Sequence, residues 1–129
     1  MIARYVFDTG ALIGAERGDA RAISYLGLVA LGRADIVTPT VCVVAWWRGR
    51  TDKRDRLLRS ILVEPLPLAA AKAAGVALAR TKQRVESNLS IDAAVMAFAA
   101  LVGAPVVTSD RADLERFADV FPGVRILSV

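Results

Sequence analysis

Four aspartates occupy positions where a carboxylate could do chemistry. Asp8 and Asp110 each come at or just after the end of a short run of apolar and β-branched residues, which is typical of a buried strand. Asp92 precedes apolar residues spaced as on one face of a helix, and Asp113 lies about one helical turn after Asp110. If the strands before Asp8 and Asp110 are neighbours in a parallel sheet, both carboxylates project into the crevice beyond its carboxyl edge.

Each of these aspartates also has an ordinary interpretation. Asp8 is a suitable N-cap for a following helix, and Asp92 and Asp113 would favour the positive end of a helix dipole. Taken together, however, converging carboxylates repel one another unless a divalent ion neutralises them. Oxygen ligands of this kind select Mg²⁺ or Mn²⁺, which can activate water and shield the charge that develops on a phosphodiester.

The rest of the composition excludes other chemistries. The 129-residue chain has no histidine and one cysteine, Cys42, so it has no imidazole base, no internal disulfide and no Cys/His zinc site. Hydrolases built on a histidine base are therefore excluded. The length and the 55% hydrophobic content fit a single globular domain over residues 1–129.

The elements that must position the aspartates alternate between strands and helices. The pattern predicts strands at residues 4–7, 36–38, 61–63, 105–108 and 124–127. It predicts helices after Asp8, at 19–31, from Pro39 through a basic segment with a break near Gly49, at 68–82, at 91–102 with Asn88 or Ser90 as its cap, and at 114–121. This alternation indicates an α/β fold with a mainly parallel sheet that helices cover on both faces.

The basic residues are unevenly spread. The formal net charge is +4, and residues 48–59 carry six basic side chains against two aspartates. We expect this segment to bind phosphates or an acidic protein partner, because guanidinium groups match phosphate and carboxylate geometry. The alternative is a solvated helix face that keeps an apolar protein in solution. The residues predicted to bind phosphates or such a partner are Arg48, Arg50, Arg54 and Arg56.

The sequence also predicts a location. Arg4 and Asp8 interrupt the first apolar residues, so no signal-peptide core can be drawn there. The longest weakly polar runs fall well short of the roughly 20 residues that cross a bilayer. We therefore expect a cytoplasmic protein with no membrane association.

The aspartates lie in motifs that resemble a known family. Residues 6–13 read VFDTGALI, residues 38–49 read TPTVCVVAWWRG, residues 91–94 read IDAA and residues 106–110 read VVTSD. In this order and at this spacing the motifs resemble PIN-domain ribonucleases, and specifically the VapC toxins of bacterial toxin–antitoxin pairs. The resemblance covers nearly the whole chain.

The resemblance implies a fold, an activity and partners. The implied fold is a three-layer α/β/α sandwich around a central five-stranded sheet. The implied activity is an Mg²⁺- or Mn²⁺-dependent endoribonuclease in which Asp8, Asp92 and Asp110 hold the metal ion, with Asp113 as a supporting catalytic acid. The implied partners are an RNA substrate, a cognate VapB-type antitoxin and a second copy of the chain in a homodimer.

One position departs from the family pattern. Six residues after Pro39 the family usually has a glutamate, whereas this chain has Ala45, which offers no oxygen. Glu16 could compensate through a water molecule, or it could simply be exposed to solvent. The departure leaves open an alternative function, a weak or inactive PIN domain that binds RNA or antitoxin without cutting.

Other families share single features only. The tetrapeptide Asp8-Thr9-Gly10-Ala11 also occurs in aspartic proteases, but those are almost all β, whereas this chain is rich in helical stretches. A phosphatase with an aspartyl nucleophile would need an acid where Gly10 stands. A response-regulator receiver would need an acidic pair before Asp8, the acid of the first strand, and a lysine late in the chain, and the sequence has neither.

Overall fold

The computed structural model describes residues 2–82 and 87–129, with the backbone alone for Ser87. In these residues five strands form one sheet in the order β3-β2-β1-β4-β5, and every described strand pair is parallel. The sheet predicted as mainly parallel is therefore entirely parallel. The strands are β1 (Ala3–Phe7), β2 (Ala34–Pro39), β3 (Leu62–Glu64), β4 (Val106–Thr108) and β5 (Ile126–Ser128).

Helices connect the strands. They are α1 (Thr9–Glu16), α2 (Ala20–Ala30), α3 (Thr40–Trp46), α4 (Asp52–Ser60), α5 (Leu68–Arg80), α6 (Ser87–Val102) and α7 (Arg111–Glu115). Right-handed crossovers place the helices that follow β1 and β2 on one face of the sheet and those that follow β3 and β4 on the other. The predicted α/β/α sandwich is confirmed.

Several element boundaries follow from local sequence. Asp19 caps α2 by accepting from the backbone N–H of Ala22 at 2.9 Å, and Gly32 ends that helix region with a positive φ of 71°. The predicted break near Gly49 is confirmed: α3 and α4 are separate helices, and Gly49 lies between them with φ of 98°. Only glycine adopts such an angle without strain.

Two helix predictions are wrong at their ends. α6 begins at Ser87, so Asn88 and Ser90 lie within the helix and neither caps it. α7 ends at Glu115 rather than extending to residue 121. Beyond it, several turns bond an N–H to the carbonyl three residues earlier, as from Phe117 to Leu114 at 3.0 Å. This tighter winding buries both side chains completely before the chain enters β5.

The core places the ends of β1 and β4 side by side. Phe7 and Val107 are register partners, both fully buried, and the N–H of Asp8 donates to the carbonyl of Val107 at 3.3 Å. Since the strand order reverses around β1, the carboxyl ends of β1 and β4 border a crevice of the kind that holds ligands in open α/β sheets.

In the part of the chain that the structure describes, none of the helices has the length and apolar character to cross a membrane.

Candidate metal and nuclease site

Asp8 is fixed at the end of β1. Its Oδ1 accepts from the backbone N–H of Ala11 at 2.9 Å, so the predicted N-cap of α1 is present. The side chain is only 7% exposed. This burial raises the pKa of Asp8, while hydrogen bonds from the Thr108 hydroxyl and from the N–H groups of Ala11 and Gly10 oppose the shift.

Thr108 connects Asp8 to Asp110. The Thr108 side chain is 1% exposed, and its hydroxyl donates to Asp8 and accepts from the backbone N–H of Asp110 at 3.0 Å. One buried hydroxyl therefore links the residue that follows β1 with the loop that follows β4. Thr108 could not be selected from the sequence as a functional residue, because a threonine at a strand end is an ordinary β-branched residue.

Asp92 lies one turn further into its helix than predicted. Because α6 begins at Ser87, Asp92 is in the second turn, where the dipole of the helix end contributes less. The apolar face predicted for Val95, Met96 and Ala99 is confirmed, since all three are fully buried. Burial raises the pKa of Asp92 to about 7, and the negative charges of Asp113, Asp8 and Asp110 add to that rise.

Asp110 and Asp113 lie at the start of α7. Asp113 is in the first turn of α7 and pairs with Arg116 at 3.4 Å. Burial raises the pKa of Asp113, and a hydrogen bond and the negative charge from Asp110 raise it further.

All four aspartates line one cavity of about 160 Å³ at the carboxyl edge of the sheet, and no lysine or arginine of the described residues lines it. The predicted convergence of these side chains is therefore present. The other lining residues are Thr9, Gly10, Ala45, Asn88, Ile91, Thr108 and Ser109. Ala45 thus lies in the wall where the family pattern would place an acid.

The four carboxylates are chemically suited to a hard divalent ion, but they do not lie close enough together to coordinate one. Their oxygens are the ligands that Mg²⁺ and Mn²⁺ prefer, and the mutual repulsion that raises the pKa of Asp92 is what a cation would relieve. Within residues 2–82 and 87–129, however, no three acidic or thiol side chains lie close enough together to hold a metal ion as they stand.

Glu16 does not take the place of the acid missing at Ala45. It is absent from the cavity lining, and its Oε1 accepts from Arg54 Nε at 2.6 Å and from Trp46 Nε1 at 3.2 Å. Glu16 is therefore neither a substitute ligand at the cavity nor a side chain that is simply exposed to solvent, since it is only 23% exposed and is paired with Arg54. Trp46, the next residue after Ala45, is buried and contacts Trp47 edge to face at 5.7 Å between ring centroids.

The basic segment lies apart from the carboxylate cavity. No residue of 48–59 lines the cavity, and α4 contacts α1 at Glu16, the end of α1 opposite to Asp8. Arg54 is held by Glu16 and by the carbonyl of Gly49, and Arg50 pairs with Asp55 at 3.0 Å. Arg48 is exposed and donates to the carbonyls of Val44 and Trp47, and Arg56 is exposed and donates to the carbonyl of Asp52.

A groove runs beside the basic segment, between α1, α2 and α4. Its volume is about 260 Å³ and its floor is largely apolar, with Ile23, Leu26 and Leu57 in its lining. Lys53 and Arg56 line the same groove. This combination of an apolar floor and basic side chains was not predicted, because the three helices come from separate parts of the sequence.

Comparison with known proteins gives a family and a fold. The family model described as the PIN domain matches residues 5–120. Comparison with curated proteins found no significant match.

The solved structures similar to this chain include complexes from three organisms. A chain of DNA-bound VapBC from Salmonella typhimurium is 19% identical with a TM-score of 0.69, and covers 98% of both chains. A chain of VapBC2 from Rickettsia felis bound to a promoter DNA fragment is 13% identical with a TM-score of 0.69, again over 98% of both chains. A chain of VapBC-5 from Mycobacterium tuberculosis is 23% identical with a TM-score of 0.56, over 98% of this chain and 99% of that one. At these identities the likeness shows the fold.

Proposed function

This chain belongs to the PIN-domain family, and we propose that it is a metal-dependent endoribonuclease that acts as the toxin of a toxin–antitoxin pair. PIN domains are in general nucleases, and the similar structures are chains of VapBC complexes. The observation that carries the proposal is the single cavity lined by Asp8, Asp92, Asp110 and Asp113.

The chain's own residues have defined tasks in this proposal. Asp8, Asp92 and Asp110 would hold a Mg²⁺ or Mn²⁺ ion. When bound, such an ion makes water a better nucleophile and stabilises the negative charge that grows on the phosphodiester. Thr108 and the N–H of Ala11 orient the Asp8 carboxylate, which removes the cost of ordering it when the ion binds. Asp113 supports Asp110 from the adjacent turn.

The groove between α1, α2 and α4 is the surface that fits the antitoxin. An apolar floor next to Lys53 and Arg56 complements an amphipathic peptide with acidic side chains. Of the four arginines predicted to bind RNA or a partner, only Arg56 lines this groove, and Arg54 is already paired with Glu16. RNA as substrate and a homodimer follow from the family resemblance, and together with the expected cytoplasmic location they complete the proposal.

The alternative function rests on Ala45. Its methyl group lies in the cavity wall, and no three carboxylates of the described residues are close enough to hold a metal ion as they stand. A PIN domain with this gap could bind RNA or antitoxin without cutting.

Cleavage of structured RNA by the purified chain separates the two functions. We expect the parent to cut RNA in Mg²⁺ or Mn²⁺ and not in EDTA, and Ala45→Glu to cut faster. A silent parent with an active Ala45→Glu would favour the alternative. If neither protein cuts, the nuclease proposal is wrong.

A further inference from the structure

Asn88 lies at the carboxylate cavity without a role in the proposed metal site. It lines the cavity, its side chain is exposed, and it stands four residues before Asp92 on α6. Residues spaced in this way share one helix face. In the part of the chain that the structure describes, its amide takes part in no hydrogen bond.

Asn88 is also chemically different from the rest of the wall. A phosphodiester brings oxygens that only accept hydrogen bonds, and the four carboxylates repel it. Among the described lining residues, Asn88 alone carries a side-chain N–H donor. The Thr108 hydroxyl is already committed to Asp8 and to the N–H of Asp110, and the hydroxyl of Ser109 lies against Gly10. The Thr9 hydroxyl has no hydrogen-bond partner among the described residues, but it is buried rather than exposed at the cavity surface.

We propose that the Asn88 amide N–H donates to a phosphate oxygen of the bound RNA strand, next to the phosphate that is cut. A neutral donor suits this position, because a lysine or arginine one turn before Asp92 would pair with that carboxylate and compete with the metal ion. The exposed position of Asn88 places it at the mouth of the cavity, whereas Asp8 is buried at the cavity's inner wall. This inference rests on the proposed nuclease function.

The test compares Asn88→Ala and Asn88→Asp with the parent. Ser90→Ala is the matched control, since Ser90 is on the same helix and does not line the cavity. Binding of a fluorescent single-stranded RNA is measured in Ca²⁺, which takes the same oxygen ligands at longer distances. Cleavage in Mn²⁺ gives KM and kcat, and the rise in melting temperature with Mn²⁺ reports metal binding separately.

We expect Asn88→Ala to weaken RNA binding and raise KM by about tenfold, the effect of one hydrogen bond to a charged group. Asn88→Asp should weaken binding further because it adds a fifth negative charge. Asn88→Ala should keep the parent's Mn²⁺ response, and Ser90→Ala should match the parent throughout.

The outcomes separate this inference from the proposed function. RNA binding by Asn88→Ala within twofold of the parent would overturn the inference, as would a loss of the Mn²⁺ response in that variant. If the parent binds RNA through Asn88 but never cuts it, the nuclease proposal fails while the Asn88 contact stands. A parent that neither binds nor cuts RNA contradicts both.

Discussion

Glu16 and Arg54 form a two-point ion pair across 38 residues of sequence, with Nε to Oε1 at 2.6 Å and Nη2 to Oε2 at 3.4 Å. Trp46 adds a hydrogen bond to the same carboxylate. The pair joins α1 to α4 and, through the Arg54 bond to the Gly49 carbonyl at 3.0 Å, holds the turn between α3 and α4. We therefore assign Glu16 and Arg54 to the packing of these helices.

Arg54→Ala should destabilise the fold by about 1–3 kcal/mol, because it leaves a partly buried carboxylate without its partner. Arg56→Ala, at an exposed position two residues on, should stay within about 0.5 kcal/mol of the parent. Urea denaturation at pH 7 measures both. Equal stabilities of the two variants would contradict the assignment.

The same pair predicts an acid dependence. Hydrogen bonds from Arg54 hold the pKa of Glu16 below its ordinary value of 4.5, so the stabilisation is present above that pH and is lost as pH falls through the lower folded value. The stability difference between the parent and Arg54→Ala should therefore shrink as the pH falls below 4.5. A difference that is constant from pH 7 to pH 3 would be inconsistent with an ionised Glu16.

Gly10 is required by the close approach of α1 to the loop after β4. A Cβ at this position would overlap Ser109 Oγ and lie 3.3 Å from both Cβ and the backbone N of Ser109. We expect Gly10→Ala to cost about 1–3 kcal/mol through overpacking. Ser109→Gly in the same chain should recover part of the loss, because it removes two of the three contacts. Thermal unfolding of the single and double variants checks this, and a double variant no more stable than Gly10→Ala would refute the contact.

Asp92 predicts how the metal-free protein responds to pH. Its pKa is raised to about 7, so its contribution to stability is fully present below the ordinary value of 3.8 and is lost as pH rises through 7. In EDTA, Asp92→Asn should exceed the parent in stability by about 2–4 kcal/mol at pH 8 and by little at pH 4. Asp35→Asn, at an exposed ion pair, is the control. A pH-independent difference would contradict the assigned cause.

Most of the fold could be predicted from the sequence, because the residues that start and end helices act locally. Asp8 and Asp19 cap their helices as expected, and Gly49 separates α3 from α4. The start of α6 was missed, because Asn88 and Ser90 are good caps as well as tolerable helix residues. α7 was predicted too long, because the buried pair Leu114 and Phe117 suits an α-helix and a tighter turn equally.

The four aspartates of the site could be predicted from the sequence, but the ion pair and hydrogen bonds between neighbouring helices could not. Asp8, Asp92, Asp110 and Asp113 could be selected from strand ends and helix faces, and they line one cavity. The Glu16 and Arg54 pair depends on helices far apart in sequence, so no local pattern indicates it. Because this pair could not be predicted, Arg54 was instead predicted to bind RNA or antitoxin. The metal and RNA roles of these residues remain predictions.

The most direct test is the rate of RNA cleavage as Mn²⁺ is titrated, for the parent and for Asp92→Asn. We expect a rate that rises with Mn²⁺ to saturation in the parent and is at least about 100-fold lower in Asp92→Asn, because a ligand or its orientation is lost. Asp35→Asn should match the parent. Cleavage that persists in EDTA, or that Asp92→Asn leaves unchanged, would contradict the account.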